Sequence, residues 1–369
     1  MKNPKASLSI ILVSVCLLSS YFAVFPAAGH AINPDGFELF HPKDETNAIY
    51  GIDTLSRWNS LVSTYSKHMT KVDLSNDSGY GSDDYGHHIN MYTVGNPNGG
   101  RVMMIGSLHN WEDLGTEAMY YFAEWLLTNH TTASENYLTE NCFYFIPIVN
   151  FGNHADSHNN RPDRQNDNVT LIAETGFGCD LNRNFPYDFD SRELCSGGTP
   201  ASQAETKAVV YALATYEPDE FLDLHFGGGF TSYYYRGSNK TNLINAYNGY
   251  NSGNDFSYPP NYGDVRGMAI NTAWYNYGAE SVLVYCANLY EPINTGYTNV
   301  EDLILHYAHR GLDDDVAITY LFPWFKAAAD VSKQNTVAIP EFSSILPVLL
   351  MIILILTVTA IVGRKMNIH

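Results

Sequence analysis

Two short segments of this sequence contain residue types at a spacing that could bind a metal ion. His109 and Glu112 stand three positions apart, directly after the apolar run "RVMMIGS" and before a run with helical spacing. His225 lies near the end of a second apolar run, "EFLDLHF". A catalytic zinc ion takes three protein ligands and keeps one position for water, and two histidines with one glutamate form such a set. The pattern therefore suggests a zinc site made of His109, Glu112 and His225.

Other histidine pairs are alternatives, because the chain has 13 histidines. His154 and His158 lie in a loop-like segment with no strand to hold them. His306 and His309 have the spacing of a solvated helical face. A single His-x-x-Glu is common by chance, so position at the ends of strands is what favours the first set.

Apolar strand-like runs alternate with helical runs along the chain. The strand-like runs include "RVMMIGS", "CFYFIPIVN", "EFLDLHF" and "ESVLVYC", and "DLGTEAMYYFAEWLLTN" has amphipathic helical spacing. The run "SQAETKAVVYALATY" adds a helix with Ser202 as its expected cap. This alternation predicts an α/β fold with a mixed, largely parallel central sheet and helices on both faces. Ligands of such sheets bind beyond the carboxyl ends of the strands, which is where His109, Glu112 and His225 fall.

Six segments occur in a characteristic order: "GSLHNWED", "IPIVNFGN", "DRQN", "GCDLNRNFPYDF", "SQAET" and "FLDLHFGGG". Their order and spacing resemble the zinc carboxypeptidases of the carboxypeptidase A type, metallopeptidase family M14. The resemblance covers roughly residues 45–325. It implies that His109, Glu112 and His225 hold one zinc ion, which would polarise the scissile carbonyl and acidify its bound water.

The resemblance also implies which residues bind the substrate's free carboxylate. Asn182 and Arg183 in "LNRNF" match the pair that grips the C-terminal carboxylate in the family. The fork-shaped guanidinium of arginine suits a carboxylate. Such a grip makes an exopeptidase of peptide or protein C-termini, because only a chain end has that carboxylate.

Two further family positions fall in less specific segments. Arg164 in "DRQN", with Arg161 as the alternative, matches the arginine that stabilises the carbonyl oxygen as it gains charge. Tyr262, with Tyr258 as the alternative, matches the mobile tyrosine of the family.

The general base is where this sequence departs from the family. The family has a glutamate in the strand that corresponds to "ESVLVYC", and here its place is taken by Tyr285, or by Cys286 if the register shifts by one residue. Glu280 precedes this place and Glu291 follows the strand. General-base help contributes about 10²–10⁴ in rate, so its loss would leave a slow enzyme. Glu291 is our candidate for the base because it could reach back into the site from the end of the strand.

The N-terminus has the layout of a secretory signal. Lys2 and Lys5 precede an apolar run, and small residues follow, so cleavage after Ala31 is expected and residues 1–31 form the signal. The zinc carboxypeptidase-like domain is expected over 45–330.

The C-terminus predicts a membrane anchor. After a linker, 331–344, residues 345–363 carry no charge and are followed by Arg364 and Lys365. Such a stretch can span a bilayer, and its basic flank stays in the cytoplasm. The "PEF" before it resembles the tails of archaeal cell-surface proteins. The body of the chain is therefore expected outside the cell, anchored to the membrane by one C-terminal helix.

The middle of the chain fits that location. It has glycosylation sequons at Asn76, Asn129, Asn168 and Asn239. A bridge between Cys179 and Cys195 is the favoured disulfide because it closes a short loop. The net charge of −19 argues against a nucleic-acid partner, which needs clustered cations. The oligomeric state cannot be read from the sequence.

Three functions remain open at this point. The first is a surface-anchored zinc carboxypeptidase. The second is a silent module that binds zinc and peptide ends, favoured by Tyr285 in place of a carboxylate. The third is a related zinc amidase acting on wall peptides or acylated amino acids. Asn182, Arg183 and a long tyrosine-rich segment favour peptide ends over small acylated acids.

Overall fold

The computed structural model describes ten stretches of the chain: 50–83, 86–109, 112–128, 132–150, 178–192, 196–228, 233–238, 240–250, 265–287 and 321–337. The expected signal and the expected membrane segment, 345–363, lie outside them. None of the helices within these stretches is long and apolar enough to cross a bilayer.

A mixed sheet forms the centre of the fold. Its seven strands within the described residues are β1 (Met69–Asp73), β2 (Asn90–Gly95), β3 (Gly100–Ile105), β4 (Asn141–Ile146), β5 (Glu220–Gly228), β6 (Tyr233–Arg236) and β7 (Glu280–Ala287). Their spatial order is β1-β2-β4-β3-β5-β7-β6. The four neighbours β4, β3, β5 and β7 are parallel. At the edges, β1 pairs with β2, β2 with β4 and β6 with β7, each in antiparallel orientation. The expected α/β fold with a largely parallel central sheet is therefore confirmed.

Eight helices of the described residues surround this sheet. They are α1 (Tyr50–Thr64), α2 (Leu74–Asp77), α3 (Asp113–Thr128), α4 (Thr132–Glu140), α5 (Ala204–Tyr216), α6 (Lys240–Tyr250), α7 (Ala269–Tyr277) and α8 (Phe322–Val337). A short 3₁₀ turn spans Leu181–Arg183. Helix α8 continues into the segment 331–344 that the sequence suggested as a linker.

Helices cover both faces of the sheet because its central strands are apolar on both sides. On one face, Leu224 of β5 meets α3 so closely that a Cβ on Gly115 would lie 2.4 Å from the Leu224 Cβ. Side chains alternate along a strand, so Phe221, Asp223 and His225 point to the other face. There Ser281 of β7, the neighbour of Phe221, donates a hydrogen bond to the carbonyl oxygen of Ile270 in α7 at 2.8 Å.

The end of α7 sets the register of β7. Gly278 adopts a left-handed conformation with φ of 76°, and its N–H bonds to the carbonyl of Trp274 at 2.9 Å. The next N–H, of Ala279, bonds to the carbonyl of Ala273 at 3.1 Å, so a left-handed glycine cap ends the helix. The chain therefore enters β7 at Glu280, and Tyr285 pairs with His225.

The start of α5 corrects a local prediction. The helix begins at Ala204 with Gln203 as its N-cap, and no side chain caps it. Ser202, the expected cap, instead donates to the carbonyl of Gly197 at 3.1 Å. Its oxygen also lies 2.9 Å from the amide nitrogen of Asn184, so the loop that precedes the helix uses this hydroxyl.

Candidate metal centre

The loop that follows β3 positions His109 and Glu112. Gly106 occupies a space in which a Cβ would lie 2.7 Å from Thr116 Oγ1 and 3.0 Å from the carbonyl oxygen of Pro147, so the loop packs closely against α3 and the segment after β4. The N–H of Glu112 then bonds to the carbonyl of His109 at 3.0 Å. This turn brings Nδ1 of His109 to 2.9 Å from Oε1 of Glu112.

His225 reaches the same point from β5. Its Nδ1 lies 2.7 Å from Oε2 of Glu112, and the two imidazole rings have centroids 4.7 Å apart. One ligand atom from each of His109, Glu112 and His225 can be chosen so that all lie within 4.8 Å of one another. All three side chains are buried. The structure thus brings together residues that are more than a hundred positions apart in the sequence.

Carboxylates contact the outer edge of each imidazole. Nε2 of His109 lies 3.2 Å from Oδ1 of Asp180, and Nε2 of His225 lies 3.0 Å from Oδ2 of Asp223. At His109, a carboxylate that accepts from Nε2 fixes the tautomer in which Nδ1 has a free lone pair on the side of Glu112. At His225, the contact with Asp223 is an ion-pair approach without a hydrogen bond.

Sequence reasoning missed Asp180 and Asp223. Asp223 stands two positions before His225 on a strand, so its side chain lies on the same face, and this spacing could have identified it. Asp180 precedes the "LNRN" motif and caps the 3₁₀ turn by accepting from the N–H of Asn182 at 3.0 Å. Nothing in its local spacing pointed to His109.

The charges of the cluster act strongly on one another. Burial lowers the pKa of His225, but Asp223 and Glu112 outweigh it and raise that pKa to about 10. Burial likewise lowers the pKa of His109, and Glu112 and Asp180 again raise it above its usual value. Burial raises the pKa of Glu112, yet the two histidines hold it well below its usual range. Glu112 therefore remains a carboxylate.

The donor set fits a zinc ion. Oε2 of Glu112 is buried and has no hydrogen-bond partner, although Nδ1 of His225 lies 2.7 Å away, because the contact lacks hydrogen-bond geometry. Zinc binding requires both imidazoles to be neutral, and the carboxylates of Glu112, Asp180 and Asp223 would then leave three negative charges that the metal ion balances. Two imidazole nitrogens and a carboxylate are ligands that zinc prefers. His109, Glu112 and His225 would hold the metal.

Asn182 and Arg183 lie next to this cluster. The amide nitrogen of Asn182 is 3.2 Å from Nε2 of His225, and its Oδ1 accepts from the N–H of Ala269 at 3.0 Å. Arg183 is half-buried, and its Nη1 donates to the carbonyl of Asn182 at 2.8 Å. The Arg183 guanidinium is thus tied to the backbone of Asn182, whose side chain contacts His225.

The strand that should have a general base carries a tyrosine beside the cluster. Tyr285 of β7 pairs with His225 of β5, and the ring centroids are 6.5 Å apart. Glu280 is at the opposite end of β7, where it accepts hydrogen bonds from Tyr235 and from Ser238. Glu280 is therefore too far along the strand to serve the site.

Several other sequence predictions lie outside the described residues. They are those on Arg164, Arg161, Tyr262, Tyr258, Glu291, Cys195 and the histidine pairs at 154/158 and 306/309.

Comparison with known proteins gives the family. The zinc carboxypeptidase family matches residues 54–321. No curated protein matches the chain.

Solved structures share the fold at low sequence identity. Carboxypeptidase A from Helicoverpa armigera is 17% identical, with a TM-score of 0.60 over 77% of this chain and 74% of that one. Bovine thrombin-activatable fibrinolysis inhibitor, solved with tick carboxypeptidase inhibitor, is 14% identical, with a TM-score of 0.58 over 77% and 97%. A metallo-carboxypeptidase from Burkholderia cenocepacia is 17% identical, with a TM-score of 0.51 over 77% and 69%.

The family match covers most of the chain and includes both segments of the metal cluster. One zinc ion is the cofactor of this family, and the cluster fits it. The chain therefore belongs to the zinc carboxypeptidase family and is a metallocarboxypeptidase.

Proposed function

We propose that this enzyme removes C-terminal residues from peptides and that it does so outside the cell. The observation that supports the proposal most is the contact between the metal cluster and the residues proposed to bind the substrate's carboxylate. Asn182 lies 3.2 Å from His225, so a group that recognises a free carboxylate adjoins the metal cluster. An endopeptidase has no use for this arrangement, because an internal bond has no carboxylate beside it.

The side chains divide the work as follows. Asn182 and Arg183 bind the C-terminal carboxylate and so orient the last peptide bond toward the cluster. Zinc, when bound, polarises the scissile carbonyl and lowers the pKa of a bound water. Arg164 donates hydrogen bonds to the carbonyl oxygen as it gains charge, and Tyr262 closes over the substrate; both roles rest on the motif alone.

Glu291 is the proposed general base. Tyr285 occupies the strand position beside His225, and a phenol, with its usual pKa near 10, is a poor base at neutral pH. Glu291 lies six positions further along the chain, beyond the end of β7 at Ala287. A carboxylate there can return to the mouth of the sheet and accept a proton from the attacking water.

The location outside the cell is proposed from the sequence. The signal layout over 1–31, the apolar segment 345–363 and its basic flank support a single C-terminal anchor. In intact cells, external protease should then degrade the domain, whereas a tag after Arg364 and Lys365 should be protected. Protection of the domain would contradict this location.

One experiment tests the activity. The purified full-length protein, loaded with zinc, is incubated with a peptide library, and the masses are followed with time. Stepwise loss of C-terminal residues supports the proposal. Stable binding without any mass change would point to the silent binding module, and cleavage of wall fragments alone would point to the amidase.

A further inference from the structure

A cation lies on the sheet face that carries the metal cluster. Along β6, Tyr233 and Tyr235 are buried, whereas Tyr234 and Arg236 point to the other, partly exposed face. The ring of Tyr234 meets that of Tyr285 at 5.9 Å, and Tyr285 is the neighbour of His225. Arg236 therefore shares its face with His225.

The guanidinium of Arg236 is fixed against the first turn of α7. Its Nε donates to Oδ1 of Asn271 at 2.8 Å, and its Nη1 donates to the carbonyl of Tyr235 at 3.2 Å. Asn271 is itself buried and donates to the carbonyl of Val265 at 2.9 Å. The planar group is thus held in one orientation, which lowers the entropy lost on binding a ligand.

The same turn of α7 contacts the carboxylate-binding pair. The N–H of Ala269 donates to Asn182, and a Cβ on Gly267 would lie 2.4 Å from the carbonyl oxygen of Arg183. Segment 265–271 therefore has Asn182 and Arg183 on one side and Arg236 on another. A terminal residue whose carboxylate is held by Arg183 has its side chain on the same Cα, so that side chain lies near this segment.

The distance along the strands between the metal cluster and Arg236 sets how far the side chain of the substrate's terminal residue must reach. Arg236 pairs with Ser281, four positions before Tyr285, which corresponds to about 13 Å at roughly 3.3 Å per residue. The long arginine side chain covers part of this separation. A glutamate side chain reaches further than an aspartate and is the better match.

We propose that Arg236 makes this carboxypeptidase select substrates whose C-terminal residue is acidic, above all glutamate. The inference rests on the proposed function and names its substrate class. On this face of β5, β7 and β6, Arg236 is the arginine that lies on the same side of the sheet as His225. A guanidinium recognises a carboxylate through two parallel hydrogen bonds. A basic terminal side chain is repelled there, and an apolar one gains nothing from the cation.

The test uses the zinc-loaded full-length protein and peptides that differ only in their last residue. Glutamate and glutamine have the same shape, so their ratio isolates the charge. The value of kcat/KM for the glutamate peptide should exceed that for glutamine by about tenfold to a hundredfold, as expected for a charged hydrogen bond. A lysine end should be the poorest of the set.

The variant Arg236→Met keeps the apolar stem and removes the charge. Its glutamate-to-glutamine ratio should fall toward one, and Arg236→Lys should restore part of it. Arg192→Met is the matched control, because the Arg192 side chain is 82% exposed and pairs with Asp190 at the surface. The control should keep the wild-type ratio, and thermal unfolding verifies that each variant is folded.

Equal rates for glutamate and glutamine ends in the wild-type protein would overturn the inference, and so would an unchanged ratio in Arg236→Met. Measuring the binding of small ligands distinguishes an error about Arg236 from an error in the proposed function. If no peptide is cut, the proposed function fails, and calorimetry with N-acetylglutamate and N-acetylglutamine still decides the role of Arg236. Tighter binding of the first, lost in Arg236→Met, supports that role, whereas equal binding refutes it.

Discussion

Tyr285 of β7 is the direct neighbour of His225 of β5, and their rings lie 6.5 Å apart at an angle of 57°. The strand register, fixed by the cap at Gly278, puts a phenol rather than a carboxylate beside the proposed zinc ligand. A carboxylate base would therefore have to come from another part of the chain, and this relationship is the reason for proposing Glu291.

Replacing Glu291 tests that proposal. Glu291→Gln should lower kcat by at least about a hundredfold, because the neutral amide cannot accept the proton of the attacking water. Zinc content should stay unchanged, since Glu291 is not among the proposed ligands. Steady-state kinetics together with metal analysis measures both quantities.

The matched control for Glu291→Gln is Glu135→Gln, an exposed position in the first turn of α4. It should retain wild-type turnover. Unchanged turnover in Glu291→Gln would remove Glu291 from the mechanism. A larger loss in Tyr285→Phe than in Glu291→Gln would instead assign the proton transfer to the phenol.

The carboxylate of Asp223, which lies behind His225, should strengthen zinc binding. Asp223 is fully buried and lies 3.0 Å from Nε2 of His225. Asp223→Asn should weaken zinc binding about 10- to 100-fold, because the imidazole loses the charged partner at its outer nitrogen. Competition with a fluorescent chelator measures the affinity. The surface variant Asp190→Asn should bind zinc as the wild type does, and equal affinities in all three proteins would exclude this role for Asp223.

A buried glutamate far from the site should make stability depend on pH. Both carboxyl oxygens of Glu220, at the start of β5, lack hydrogen-bond partners. Burial raises the pKa of Glu220 well above its usual 4.5, and the charges of Glu280 and Asp219 raise it further. The folded protein keeps this proton at pH values where the unfolded chain has lost it. The destabilisation therefore grows as the pH rises above about 4.5.

Glu220→Gln removes this effect while preserving the shape of the side chain. The variant should melt at a higher temperature than the wild type at pH 7–8, and the two should converge near pH 4. Thermal unfolding across this pH range measures the difference, with Glu135→Gln as the exposed control. A constant difference at all pH values would show that Glu220 is not protonated in the folded protein.

The sequence predicted the parts of the site that depend on local pattern and on the topology of α/β sheets. His109, Glu112 and His225 follow or end buried strands, and parallel strands bring those ends to one edge of the sheet. The structure places the three together within 4.8 Å, and their function as ligands stays a proposal.

Contacts that depend on distant segments could not be predicted in this way. The pairing of Asp180 with His109 joins residues 71 positions apart. That of Arg236 with Asn271 joins residues 35 positions apart. Both are set by how loops and helices pack on the sheet, which spacing within one segment does not encode. The wrong cap at Ser202 has a similar origin, because Asn184 and Gly197 engage its hydroxyl.

Zinc stoichiometry tests the central claim most directly. After dialysis against metal-free buffer, the wild-type protein should retain about one zinc ion per chain, as a three-ligand site does. Elemental mass spectrometry measures this amount. His225→Ala leaves only the ligands of the loop after β3 and should retain less than about a tenth of that amount. A His225→Ala variant that keeps a full equivalent of zinc would contradict the account.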